Sequence, residues 1–276
     1  MTKCIRVARA RAVVAAVVVL SSGIMLAAQQ GGRAGGAPQA PQAPPTPQAA
    51  APIDLTGYWV SVVTEDWRWR MVTPPKGDFA SVPLNAEGTK VGNSWDPATD
   101  GSCLAYGAAG LMRNPTRVHI TWENPQTLKV ETDAGVQTRR FVFGQGQTPS
   151  QRSLQGYSVA EWELAGGGGR GGGGGGGGGG GRGGQGAAPA GPRNGNLKVT
   201  TTMMSAAWLR KNGVPYSENA TLTEYYDRFP APNGDEWFAV TTIVSDPKYL
   251  NQDFVTSTHF KKEADGSKWA PKPCKS

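Results

Sequence analysis

The chain has 276 residues, among them 39 glycines, 21 prolines and three cysteines, and a formal charge of +7. That charge would suit a nucleic-acid partner, but it is unevenly spread. Lys3, Arg6, Arg9 and Arg11 lie at the N-terminus, and Arg33, Arg170, Arg182 and Arg193 lie in low-complexity stretches. The other 20 basic residues face all 21 acidic ones, so the body is close to neutral and nucleic-acid binding is set aside.

Residues 1–28 read as a secretory signal peptide: a basic start, an apolar run over 12–27 broken only at Ser21, Ser22 and Gly23, and small residues at Ala27 and Ala28. The alternative is a retained anchor, for which the run is short of the roughly 20 apolar residues a span requires. Cleavage near Ala28 leaves no stable membrane span and places the chain outside the cytoplasm, in the periplasm or secreted. Residues 29–52 are rich in Pro, Gln and Ala, and read as a disordered spacer. Cys4 leaves with the signal peptide, so Cys103 and Cys274 remain as an even pair. A disulfide between them would pin the C-terminal tail and stabilise by about 5 kcal/mol on the chain-entropy account; the alternative is two free thiols.

From residue 53 the chain falls into short β-patterned runs: 57–64, 117–123, 127–133, 138–144, 157–164, 196–204, 220–229, 236–244 and 254–262. In "RVHITWE", Val118, Ile120 and Trp122 share one face, and Arg117, His119 and Thr121 the other. Turn signals at 123–126, 132–135, 230–236 and 245–248 bound these runs. Only "SAAWLRKNG", 205–213, reads as a helix, ended by Gly213. About nine strands at this spacing give an antiparallel sandwich or barrel. The glycine tract, 165–195, lies between "VAEWEL" and "NLKVTT", which look like two arms of one hairpin. Expanding a tight turn to that length costs only about 2 kcal/mol, so the expected organisation is one domain, 53–276, interrupted by a long disordered hairpin loop.

"DLTGYW" at 54–59 resembles the G-x-W opening of lipocalins and other calycins. The segments "GYWVSVVTEDWRWRMVTPPKGDF", "CLAYGAAGLMRNPTRVHITWENPQTLKVETDAGVQTRRFVF", "AAWLRKNGVPYSENATLTEYYDRF" and "DPKYLNQDFVTSTHFKK" are together similar to a widespread group of exported, largely uncharacterised bacterial lipocalin-like proteins. The resemblance covers most of residues 54–263. It implies an all-β, single antiparallel barrel and export, and it brings no established activity.

Residues 64–71, "TEDWRWRM", alternate tryptophan and arginine. A straight strand would leave neither face cleanly polar, so a bend or bulge near Glu65–Asp66 is expected. One reading is architectural, with Trp plugging a barrel end and Arg pairing with Glu131 or Glu163. The other is a pocket lined by Trp67, Trp69, Tyr106 and Met112, floored by Arg68, Arg70, Arg113 or Arg139 and lidded by Tyr216. It would suit a small amphipathic or mainly apolar ligand with an acidic or carbonyl group.

His119 and His259 are the only histidines. If both faced one barrel interior, they could do acid–base work with Glu131 or Glu224 as a hydrolase or isomerase. Metal-ligand spacing, a P-loop, a dinucleotide fingerprint and a nucleophile elbow are not found in the sequence, and no cofactor is expected. The expected function is therefore ligand carriage in a barrel. The alternatives are an enzyme on that scaffold and an envelope-associated structural or adapter protein.

Overall fold

The computed structural model describes residues 43–144, 146–164 and 195–276. The segment read as a signal peptide, most of the spacer and residues 165–194 of the glycine tract lie outside the described residues. Thirteen strands occur in the described part: β1 Gly57–Val62, β2 Arg117–Asn124, β3 Thr127–Thr132, β4 Ala134–Gly135, β5 Thr138–Phe143, β6 Tyr157–Leu164, β7 Gly195–Thr202, β8 Ala207–Arg210, β9 Val214–Tyr216, β10 Thr221–Pro230, β11 Glu236–Ser245, β12 Phe254–Glu263 and β13 Lys272–Pro273. Nine of them close a barrel in the order β1-β12-β11-β10-β7-β6-β5-β3-β2, with β2 returning to β1. An odd number of strands cannot alternate direction all the way round a closed ring. One parallel contact is therefore unavoidable, and it falls between β5 and β6.

The expected hairpin across the glycine tract is present: β6 and β7 pair in register from Tyr157–Thr202 to Leu164–Gly195. The expected helix at 205–213 is not. Those residues form β8 and the turn into β9, which pair as a hairpin. A nine-residue helix is marginal alone, whereas the hairpin buries Ala207, Leu209, Val214 and Tyr216 against Leu222, Val244 and Phe254. Gly213 makes the turn at φ 75°, and a Cβ there would come within 2.4 Å of Trp95. The helices are short and lie elsewhere: α1 Trp67–Arg70, α2 Ala86–Gly92 and α3 Ala108–Leu111, with two 3-10 turns at Pro97–Thr99 and Cys103–Tyr106.

Alternation sets the inner wall. Trp59, Val118, Ile120, Leu128, Val130, Phe141, Leu197, Val199, Tyr226, Phe238 and Phe260 fill one half of the lumen. Phe238 stacks on Phe260 at 4.7 Å between centroids and meets Trp59 edge-on at 4.8 Å. At this end residues 44–53, expected to belong largely to a disordered spacer, pack on the barrel. Pro47 O accepts from Trp162 Nε1 at 2.9 Å, and Ile53 joins the core. The other end is covered by residues 63–116, by the β8–β9 hairpin and by the apolar cluster around Tyr216 and Phe254.

Between the two apolar clusters lies a polar layer. Arg139 on β5 donates to both oxygens of Glu224 on β10, at 2.9 and 2.6 Å, and neither side chain has any exposed surface. Thr201 Oγ1 accepts from Arg139 at 3.1 Å and shares a hydrogen bond with Ser158. Tyr226 donates to Glu224. Burial alone would lower the Arg139 pKa; the Glu224 charge, together with Tyr226, the hydrogen bonds to Glu224, and Tyr216, outweighs it and holds the guanidinium firmly protonated.

The C-terminal tail crosses the outer wall, with Trp269 edge-on to Tyr58, and pairs through β13 with β4. There Cys274 is bonded to Cys103 across 171 residues of chain, so the tail is pinned as the sequence suggested.

Two stability measurements follow. Glu224→Gln strands the Arg139 cation, and urea unfolding should show a loss of about 3–5 kcal/mol. The double change Arg139→Met/Glu224→Leu should recover most of it. The pair Cys103→Ser/Cys274→Ser should lower stability by about 2–5 kcal/mol in the same assay.

Candidate functional site

The chain leaves β1 at Val62 and turns sharply at Asp66, whose backbone is left-handed at φ 53°. Asp is one of the few residues that tolerates this conformation, and it lies where the sequence called for a bend. Beyond it Trp67–Arg70 forms a single helical turn, α1, where the alternation had suggested strand. The helical turn splits the two tryptophans. Trp67 is 63 % exposed, while Trp69 is partly buried, with its Nε1 donating to both oxygens of Asp78 at 3.2 Å.

Trp69 begins a ladder of alternating cations and aromatic rings. Arg68 and Arg210 each lie 5.2 Å from the Trp69 ring; Arg210 lies 5.9 Å and Arg113 5.6 Å from the Phe254 ring. Arg210 comes from β8 and Phe254 from β12, so three distant parts of the chain meet here. Arg70 completes the cluster, donating through Nε to Arg113 O at 2.8 Å and through Nη1 to Glu65 O at 3.3 Å. Arg113 pairs with Asp66 at 2.9 Å, and Arg68 with Asp78 at 3.2 Å. The expected partners Glu131 and Glu163 are not used; the ladder draws its acids from residues 65–78.

Arg210 is the member left without a partner. Its guanidinium is buried, and Nε, Nη1 and Nη2 find no hydrogen-bond partner among the described residues. Burial, and then the nearby Arg113 charge, push its pKa down to about 10 against the pull of Asp66 and Asp78. Arg70 falls to about 10 for the same two reasons, opposed by Glu65 and Asp66. A guanidinium stays protonated under ordinary conditions, so the shift marks an uncompensated buried cation.

A groove of about 610 Å³ opens next to the residues that follow Arg70 and Arg113 in the chain. It is lined mainly by apolar groups, among them Val60, Val62, Val63, Met71, Pro115 and Ala270. Met71 and Val72 beside it are more than half exposed.

The remaining expected site residues scatter. Met112 is buried in the barrel core. Tyr106 lies across Gly135 at the edge of a cavity with Lys211, Lys272 and Lys275 that adjoins the groove at Pro115, Ala134 and Lys272, and burial raises its hydroxyl pKa. Tyr216 is not a loop lid: it lies on β9, fully buried. Arg139 belongs to the luminal ion pair.

The histidines do not share the lumen. His119 faces outward, stacked on Tyr58 at 4.0 Å, with Nδ1 3.5 Å from Glu131. His259 also faces outward, 2.7 Å from Glu65. Tyr58 pairs with His119 and Val62 with His259, so the two histidines are offset along β1 by four residues, about 13 Å. Glu224 is enclosed inside the barrel with Arg139 and out of reach of either.

Sequence reasoning missed Arg210 and Phe254. Once 205–213 is read as strand, an arginine closing the apolar "AAWLR" run is the available signal for Arg210. The sequence carries no comparable signal for Phe254. Among the described residues no cluster of His, Cys, Asp and Glu could hold a metal ion, and no helix is long and apolar enough to cross a membrane. No protein-family description, curated protein or solved structure matches this chain.

Proposed function

We propose that this is an exported, lipocalin-like carrier, periplasmic or secreted, that binds a small amphipathic anion at the arginine-lined end of its barrel. The observation that carries the reading is the buried Arg210 guanidinium, held between two aromatic rings with all three nitrogens unpartnered among the described residues. A carboxylate or similar anion would complete it with charge-assisted hydrogen bonds. The apolar groove beside Met71 would take the ligand's body. Trp69 and Phe254 hold the cation in place, and Arg70 and Arg113 add positive potential. One half of the lumen is filled by Trp59, Phe141, Tyr226, Phe238 and Phe260, which favours the other, arginine-lined end of the barrel as the site. Export rests on the N-terminal segment and the disulfide.

Removing the charge should trade function for stability. Cation–π contacts return about 0.5–2 kcal/mol, less than the several kcal/mol of burying an unpaired charge. Arg210→Met should therefore raise Tm by roughly 3 °C in calorimetry.

Titration calorimetry with decanoate, decanol and inorganic phosphate tests the binding itself. Decanoate should bind best, and Arg210→Met should weaken it by roughly 10- to 100-fold. Equal affinity for decanoate and decanol, or an Arg210→Met protein that binds as before, would sink the proposal.

A further inference from the structure

We propose that the barrel lumen holds a small, uncharged, hydroxyl-bearing guest, water or an alcohol, beside the Arg139–Glu224 pair. The residues involved are distinct from those of the anion site, so the two readings stand or fall separately. On one flank of the ion pair the polar groups satisfy each other, Ser158 with Thr201 and Thr201 with Arg139. On the other flank they do not. Thr242 lies opposite Glu224 in the β10–β11 register, and Thr256 lies opposite Thr242 in the β11–β12 register. Thr258 is one inward-facing position along β12. The hydroxyls of Thr242, Thr256 and Thr258 are all buried with no partner among the described residues, and so is Arg139 Nε.

Directly opposed Cβ atoms in an antiparallel pair are about 4.5–5.5 Å apart, so Glu224, Thr242 and Thr256 form one continuous row across three strands. Buried side-chain polar atoms are nearly always hydrogen-bonded to protein or to ordered water, so three hydroxyls on two neighbouring strands with no protein partner among the described residues call for a guest. The guest's chemistry follows from the row. Arg139 and Glu224 neutralise each other, so a charged guest would sit uncompensated in a closed lumen. The Arg139 Nε–H only donates, while the threonine hydroxyls donate and accept. The guest must therefore accept, and it serves all the hydroxyls best if it can also donate, which a hydroxyl does and an apolar molecule cannot.

The sign of a Thr→Val effect decides the matter, because valine keeps the shape and removes only the hydroxyl. If a guest bonds these hydroxyls, Thr242→Val, Thr256→Val and Thr258→Val should each lower Tm by about 2–4 °C. If the hydroxyls are dry, valine relieves an unsatisfied buried group, and an unchanged or raised Tm across the three variants overturns the proposal. The source is read by unfolding the wild-type protein with its disulfide intact and refolding it in plain buffer. A water guest returns the full Tm. An alcohol from the host leaves the refolded Tm lower and appears in the released fraction by mass spectrometry.

Discussion

Arg139 and Glu224 have no exposed surface inside a closed barrel, so each charge depends on the other. Removing water from two ions costs several kcal/mol apiece, and bidentate geometry with further hydrogen bonds is what offsets it. Here Thr201 and Tyr226 supply those extra bonds. The pair also fixes register. A one-residue slip of β5 would turn Arg140 inward and Arg139 outward, and a slip of β10 would remove Glu224 from the lumen. Two strands not adjacent in the barrel are thus held in phase by one contact across the interior, with the apolar clusters stacked on either side of it.

Closing nine strands has a second consequence. The single parallel contact forces the chain to return from one end of the barrel to the other between β5 and β6. The long connections gather at the covered end: residues 63–116, the β8–β9 hairpin and the tail bonded through Cys274. These segments have little regular structure of their own, and they are tied down by side chains. Asn212 donates to Pro75 O and Asp78 O, Lys211 to Arg70 O, and the disulfide holds the last residues. The arginine–aromatic ladder is built from these same segments, which is why its members are far apart in sequence.

Much of the barrel was legible. All nine β-patterned runs became barrel strands, because period-2 alternation against a filled lumen leaves few other options. In "TRRFVF" the shared parity of Arg139, Phe141 and Phe143 places that arginine inside, and in "RVHITWE" the inward Val118 and Ile120 turn His119 outward. The histidine pairing failed on that same parity. The helix reading of 205–213 failed for a different reason: local propensity favoured it, but a distant hairpin partner at Val214–Tyr216 buried more apolar surface. The ladder was half legible. Trp69, Arg70 and Arg113 stood out as arginines and tryptophans in company, but their meeting with Arg210 and Phe254 is a tertiary fact that no local pattern records.

Two arginines in this protein are buried to a similar degree and are shifted in opposite directions. Arg139 is held protonated because a carboxylate meets it along two hydrogen bonds; Arg210 is pushed down by burial and then by the nearby Arg113 charge, while Asp66 and Asp78, which pull the other way, bond to Arg113, Arg68 and Trp69 instead. In the first arrangement the two charges neutralise each other, and the charge is accounted for structurally. The second does not, since a methionine at 210 would pack between the same two rings without burying a charge. A fold that neutralises one buried cation with a buried carboxylate, and leaves another at the end of the barrel without a partner among the described residues, has the features of a site completed by something outside the chain. The difference between the two is one carboxylate, and that is the group the proposed ligand would bring.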